Sequence, residues 1–169
     1  MKDMGLIHYF LGLKMWQGYG EIFVGNGKYN SEILQRLHMQ YCKPVDNPLG
    51  TNYRKDVAST GEVIGGTICR QLVGSLMYMV KTWLDIFFVV NKLSQFMVFP
   101  SKLHWKEAKH VLRYLRGITY FSLWYRKTNG MKLQGFTHAD WEGSPLDRKI
   151  TSGEVYSVGS MVVSWYNSK

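Results

Sequence analysis

Five cationic residues recur in steps of four or three positions along one stretch of the chain, Lys102, Lys106, Lys109, Arg113 and Arg116. These steps place all five side chains on one stripe of a helix. A line of cations can follow a phosphate backbone, release counterions and give affinity without reading bases. Amphipathic helices also carry charges on their solvent face. The spacing therefore supports either a nucleic-acid-binding stripe or a solvated polar face.

A second group of candidate residues lies near the C-terminal end. Asp140 follows His138 by two positions, so both belong to the same face of a predicted strand, and Asp147 comes soon after. Carboxylates are good ligands for magnesium, whereas imidazole is a poor ligand for such a hard cation. Asp140 and Asp147 are therefore weak metal candidates, and we expect neither a resident metal nor a cofactor.

Other patterns carry less chemistry. Gly25-Asn26-Gly27 lacks the length of a phosphate loop, and turn geometry explains it better. His104 and His110 are six residues apart, which does not give the shared helical face that a metal pair needs. Six tryptophans could include base-stacking platforms, but packing in a core is the favoured interpretation. They are Trp16, Trp83, Trp105, Trp124, Trp141 and Trp165.

Composition limits the class of protein. The 169 residues are 46% hydrophobic and 15% aromatic, which is typical of a packed globular chain rather than a disordered one. Twenty-one Lys and Arg against twelve Asp and Glu give a net charge of +9, which makes an anionic partner plausible. We recognise neither a signal peptide nor an apolar run long enough to span a bilayer. The sequence therefore predicts an intracellular chain without a membrane partner, and it does not name a compartment.

Apolar periodicity predicts an α+β chain. Strands over 9–15 and 21–24 flank a glycine-rich turn at 17–20. A helix over 29–39 follows, with Asn30 or Ser31 as its cap. Three further helices are expected near 69–81, 85–97 and 102–117, the last capped by Ser101 with Trp105, Ala108, Leu112 and Leu115 facing inward. A short strand near 120–125 precedes three longer ones near 133–137, 154–158 and 161–165, and Gly159-Ser160 forms the final turn.

Several sequence blocks, in a fixed order, resemble copia-type retrotransposon polyproteins. The clearest are residues 135–141 (GFTHADW) and 147–153 (DRKITSG), which resemble the segment that opens the ribonuclease H domain of that family. Further blocks that resemble family motifs are 1–13, 41–49, 70–78, 104–117 and 163–165. On these motifs the chain is identified as a member of the copia-type family.

The resemblance implies a domain organisation. Residues 1–43 would be the end of a reverse-transcriptase-like region and 44–68 a linker. Residues 69–117 would form a three-helix connection, and 118–169 a truncated, antiparallel ribonuclease H-like sheet. Such a truncated sheet implies an exposed edge and self-association.

The same resemblance bears on catalysis. In the family, the position of His138 holds the first catalytic Asp, which binds the magnesium that intact relatives would use. The polymerase aspartates of the family lie before the block at 1–13, and a later acidic segment lies after Lys169. We therefore expect no catalytic residues here, and a non-catalytic fragment with residual non-specific nucleic-acid binding. A co-opted interaction or effector-like protein is the alternative, and an active RNA–DNA hybrid nuclease is the least favoured one.

Overall fold

The computed structural model describes residues 5–50, 65–130, 132–140 and 151–168. Within these residues, three strands come first, the helices follow, and four strands come last, in the order that the sequence predicts. A short 3-10 helix, Leu84–Ile86, precedes α3. The other elements are β1 (Tyr9–Phe10), β2 (Leu13–Gly18), β3 (Glu21–Gly25), α1 (Gly27–Arg36), α2 (Gly66–Met79), α3 (Phe87–Ser94), α4 (Lys102–Gly117), β4 (Leu123–Arg126), β5 (Leu133–Asp140), β6 (Thr151–Val158) and β7 (Met161–Ser168).

The strands form two antiparallel sheets, with orders β1–β2–β3–β4 and β5–β6–β7. β6 is central in the second sheet, and the predicted turn at Gly159-Ser160 joins it to β7. Gly159 has a φ of +61°, a conformation that glycine adopts without a steric penalty. The predicted α+β class is therefore confirmed.

The chain divides into two compact units. One contains residues 1–8, 15–24 and 123–169, and consists mainly of strands. The other contains residues 9–14 and 25–122, and includes all four helices of the described part of the chain. No helix in this described part is long and apolar enough to cross a membrane.

The hydrophobic core of the helical unit lies between α2, α3 and α4, because each of these helices presents a continuous apolar face. Its fully buried side chains include Leu76, Met79, Val89, Val90, Leu93, Leu112 and Leu115. The predicted second helix over 85–97 is shorter than expected. It begins as a 3-10 turn and α3 ends at Ser94, so Phe96 and Met97 lie beyond it.

The predicted cap of α1 is wrong. The helix begins at Gly27, so Asn30 and Ser31 both lie inside it. The Asn30 side chain is buried, and its amide donates to Leu115 O at 2.8 Å and to Thr119 Oγ1 at 2.9 Å. Ser31 Oγ donates to Gly27 O one turn earlier. Asn30 therefore lies inside the helix because of its tertiary hydrogen bonds, although Asn is locally preferred as a cap before a helix.

Gly25-Asn26-Gly27 forms the tight junction between β3 and α1. Asn26 is fully buried and its amide donates to Thr82 Oγ1 at 3.0 Å. A Cβ at Gly27 would lie 2.6 Å from Thr119 O, a distance that no other residue could accept without a backbone shift. The close approach of two backbones therefore accounts for glycine at this position.

Candidate nucleic-acid interface

Helix α4 begins with a reciprocal cap. Ser101 Oγ accepts from the backbone N–H of His104, and His104 Nδ1 accepts from the backbone N–H of Ser101 at 3.0 Å. This arrangement is the capping box, with His in the position that Glu or Gln usually occupies. Because Nδ1 accepts, the proton of the neutral imidazole lies on Nε2. The predicted cap at Ser101 is confirmed.

His104 is held neutral by its surroundings. His104 is 8% exposed, and its ring stacks on Phe96 with ring centroids 4.2 Å apart. Burial lowers the pKa of His104 below its usual value because it penalises the charged form. His104 therefore caps the N-terminal end of α4 and adds no positive charge to the surface of the helix.

One face of α4 is anchored in the core, which fixes the direction of the opposite face. Ala108, Val111, Leu112 and Leu115 have no exposed surface, whereas Trp105, predicted to face inward, is only half-buried. Residues three and four apart share a face of a helix. The buried set therefore leaves the cationic residues on the remaining surface.

Three of the five predicted binding residues are exposed on that surface, namely Lys102, Lys106 and Lys109. We call these three the lysine face. Lys109 Nζ lies 5.1 Å from the centroid of the Trp105 ring, a cation–π contact that leaves the ammonium accessible. The lysine face extends over about two turns of α4.

A segment without regular structure, residues 40–50, runs antiparallel to α4 and is bound to it at four points. We call it the strap. Four α4 side chains, each three residues from the next, bind its backbone; they are Glu107, His110, Arg113 and Arg116.

The two arginines hold the first half of the strap. Arg116 Nε donates to Gln40 O and Arg113 Nε donates to Lys43 O, both at 2.9 Å. Both arginine side chains are half-buried. These guanidinium groups donate to the backbone of the strap and are less exposed than Lys102, Lys106 and Lys109.

His110 and Glu107 hold the second half. His110 Nε2 lies 2.9 Å from Asn47 O, and Glu107 Oε2 accepts from the backbone N–H of Gly50 at 3.2 Å. A Cβ at Gly50 would lie 2.9 Å from Glu107 Oε1, so the close approach favours glycine. The sequence did not predict the strap, because its side of each of these bonds is a backbone group far away in the chain.

The acidic candidates lie in or after β5. His138 is exposed on this strand and pairs with Gly153 of β6, and Asp140 pairs with Thr151 through the backbone. Asp147 lies outside the described residues. Among the residues that the structure describes, no group of three or more His, Cys, Asp or Glu side chains could hold a metal ion.

Comparisons with known proteins match nearly the whole chain. A retrovirus-related Pol polyprotein from transposon RE2 of Arabidopsis thaliana is 33% identical over 169 residues, covering 100% of this chain and 12% of the polyprotein. An uncharacterised mitochondrial protein of Arabidopsis thaliana is 33% identical over 165 residues, covering 98% of this chain and 68% of that protein.

The chain belongs to the copia-type retrotransposon polyprotein family. It spans about an eighth of the length of the Pol polyproteins that it matches. A shorter match is to secreted RxLR effector protein 161 of Plasmopara viticola, 39% identical over 98 residues, or 57% of this chain and 69% of the effector. No protein-family model and no solved structure matches the chain.

In this copia-type chain, a further hydrogen bond joins α4 to the 3-10 helix. The Tyr114 hydroxyl donates to Asp85 Oδ2 in the 3-10 helix. Burial first, and then the hydrogen bond to the Asp85 carboxylate and its negative charge, raise the pKa of Tyr114 to about 12. Tyr114 is therefore a neutral hydrogen-bond donor at physiological pH.

Proposed function

We propose that this chain is a non-catalytic part of a copia-type polyprotein that binds nucleic acid without sequence preference. Its helices α2 to α4 correspond to the connection, α1 to the end of a reverse-transcriptase-like region, and its three-stranded sheet to a ribonuclease H-like region. The observation that carries the binding proposal is the lysine face on α4, in a chain with a net charge of +9.

The lysine face suits a phosphate backbone better than base edges. Its three ammonium groups are exposed along one helix that is anchored on its other sides by the core and the strap. An ammonium acts as a compact point charge and gives little of the bidentate geometry that base recognition uses. Arg113 and Arg116 were predicted to contribute as well. We expect a smaller direct effect from them because both guanidinium groups donate to the strap.

The salt dependence of duplex binding tests this proposal. The variant Lys102→Ala/Lys106→Ala/Lys109→Ala should flatten the log–log salt slope by about 0.9 for each lysine, or about 2.7 in total. A matched control changes three other exposed lysines of the same unit, Lys14, Lys28 and Lys81, to Ala. Both variants lose the same charge, so only a local role of the lysine face makes the first variant weaker. Equal slopes and affinities in the two variants would show that the lysine face is only a solvated surface.

The proposed lack of nuclease activity depends on His138, which occupies the position of the first catalytic Asp of the family. Ribonuclease H chemistry uses divalent metal to position water and neutralise charge at the scissile phosphate. An imidazole there is a poor ligand for magnesium. We expect no cleavage of an RNA–DNA hybrid with magnesium or manganese. Cleavage by the wild type that disappears in Asp140→Asn would overturn this expectation.

A second candidate function is that of an interaction protein, favoured by the match to an effector over more than half of the chain. In the described part of the chain, β5 and β7 each pair only with β6 within their sheet. An unpaired strand edge can add a strand from another chain. This candidate predicts self-association that Val163→Lys on β7 reduces, measured by light scattering across a concentration series. A wild type that stays monomeric at high concentration would argue against it.

A further inference from the structure

Three aromatic side chains form a continuous row on one face of β2, β3 and β4. Phe23 pairs with Trp124 across the two strands, and their rings are nearly parallel, with centroids 5.5 Å apart and an interplanar angle of 10°. Trp16 meets Phe23 edge to face at 5.4 Å. We call Trp16, Phe23 and Trp124 the aromatic row.

The aromatic row faces solvent, contrary to the core packing that the sequence favoured for these tryptophans. Trp16 is 52% exposed and Trp124 is 37% exposed, whereas Trp83 in the helical core is 5% exposed. The neighbouring residue on β4, Tyr125, lies on the opposite face of the strand, is half-buried, and donates its hydroxyl to Val162 O. The covered face of β4 is therefore the other one, and burial does not account for the row.

The two tryptophans are held in fixed orientations. Glu21 Oε2 accepts from Trp124 Nε1 at 3.0 Å, which fixes the rotation of that indole. The Trp16 indole lies over Gly18 so closely that a Cβ there would be 2.5 Å from Cη2 of the ring. Glycine two residues along the strand thus lets the indole lie down against the sheet. Rings ordered before binding lose little entropy when a ligand stacks on them.

Arg126 marks where a flat ligand would stack. Its Cζ lies 3.6 Å from the centroid of the Trp124 ring, so the guanidinium covers one face of the indole. Arg126 is itself exposed on the same face of β4 as Trp124. A guanidinium and a nucleobase are both planar groups that stack on aromatic rings. If Arg126 turns outward, it opens that face to a base and brings a cation to the adjoining phosphate.

We propose that the aromatic row, with Arg126, binds the unpaired bases of single-stranded nucleic acid by stacking. The occupant is inferred from charge and shape together. Two exposed tryptophans, joined by the half-buried Phe23 and flanked by an arginine, suit a polyanion that carries flat apolar groups, in a chain of net charge +9. The proposal goes beyond the lysine face, because contacts to phosphates there do not require unpaired bases. The two proposals can therefore fail independently.

Tryptophan fluorescence provides the test, with an oligothymidylate of about ten nucleotides as the probe. Binding of the full chain should quench the fluorescence, because bases stack on the indoles. Trp124→Ala should weaken the affinity by about 5- to 150-fold, the range expected for one lost base stack, while Trp124→Phe should retain most of it. Phe136→Ala is the matched control, since Phe136 is 62% exposed on the other sheet and should bind normally when changed.

An abasic oligonucleotide of the same length separates stacking from charge. It keeps the phosphates and lacks the bases, so the wild type should bind it much more weakly than oligothymidylate. This comparison needs no variant and remains valid even if Trp124→Ala fails to fold; Trp16→Ala provides a second substitution. In the triple lysine variant, the preference for the base-containing strand should persist. Equal binding of the two oligonucleotides, or unchanged affinity in folded Trp124→Ala, would overturn the proposal.

Discussion

The buried Asn30 offers a sharp test of how the helical unit is held together. Its amide makes two hydrogen bonds, one to Leu115 O in the last turn of α4 and one to Thr119 Oγ1 just after the helix. Asn30 has no exposed surface. The substitution Asn30→Asp keeps the shape of the side chain but replaces the donating NH₂ group with an acceptor. The contact with Leu115 O then joins two acceptors, and Thr119 Oγ1 could donate to the new carboxylate only by giving up its own donation to Leu115 O and Arg116 O.

The expected cost follows from burial. An uncompensated buried charge typically destabilises a protein by about 3–5 kcal/mol. Asn30→Ala only removes the two hydrogen bonds, each with a net contribution of about 0.5–1.5 kcal/mol. Its cost should lie toward the lower end, because Leu115 O still accepts from Thr119 Oγ1 at 3.0 Å. Asn30→Asp should therefore be more destabilising at neutral pH than the more drastic truncation to Ala.

Urea unfolding monitored by circular dichroism at pH 7 and pH 5 checks which of the two variants is less stable, and why. Burial should raise the pKa of the introduced carboxyl above its unfolded value of about 3.9. The unfolded variant then binds fewer protons than the folded one, so its stability falls as pH rises through this range. The loss in free energy of unfolding of Asn30→Asp, relative to wild type, should be smaller at pH 5. A protonated carboxyl can again donate to Leu115 O or Thr119 Oγ1. The reasoning would be refuted if this loss in free energy of unfolding did not change with pH, or if at pH 7 it were smaller than the loss caused by Asn30→Ala.

Three further substitutions test other parts of the helical unit. Gly27→Ala should lower the free energy of unfolding by more than about 1 kcal/mol, measured in urea, because the new Cβ would meet Thr119 O at 2.6 Å. Arg116→Ala should lower protection of the strap in hydrogen exchange, since it removes the bond to Gln40 O; unchanged protection would show that this anchor is dispensable. Burial lowers the pKa of His104, so stability should decline as pH falls below about 6.5, where the unfolded chain takes up the proton first. His104→Gln should reduce this decline, and an identical pH profile would exclude His104 as its source.

The start and end of α4 could be predicted from the sequence because local rules determine them. Ser101 is a favoured cap, the apolar residues follow the helical period, and Gly117 closes the last turn. The same is true of the turn at Gly159-Ser160. Each of these signals is complete within a few residues, so no knowledge of the tertiary structure was needed.

The strap could not be predicted in the same way, because its bonds join residues far apart in the chain. Arg113 and Lys43 are separated by 70 positions, and the acceptor is a backbone carbonyl that carries no sequence signature. The period of the helix correctly placed Arg113 on the side away from the core. It could not distinguish an arginine that donates to a carbonyl from a lysine that faces water.

The same limit applies to the aromatic row, and it explains why the exposed tryptophans were assigned to the core. Alternation along β4 separates Trp124 from Tyr125 but does not say which face of the strand is covered. Tyr125 lies on the covered face, although tyrosine is the more polar residue of the two. Hydrophobicity alone would have chosen the opposite orientation. On β4 the tryptophan faces outward, Glu21 fixes its ring through a hydrogen bond, and Arg126 lies over one face of that ring. This arrangement favours stacking on a ligand over burial in a core.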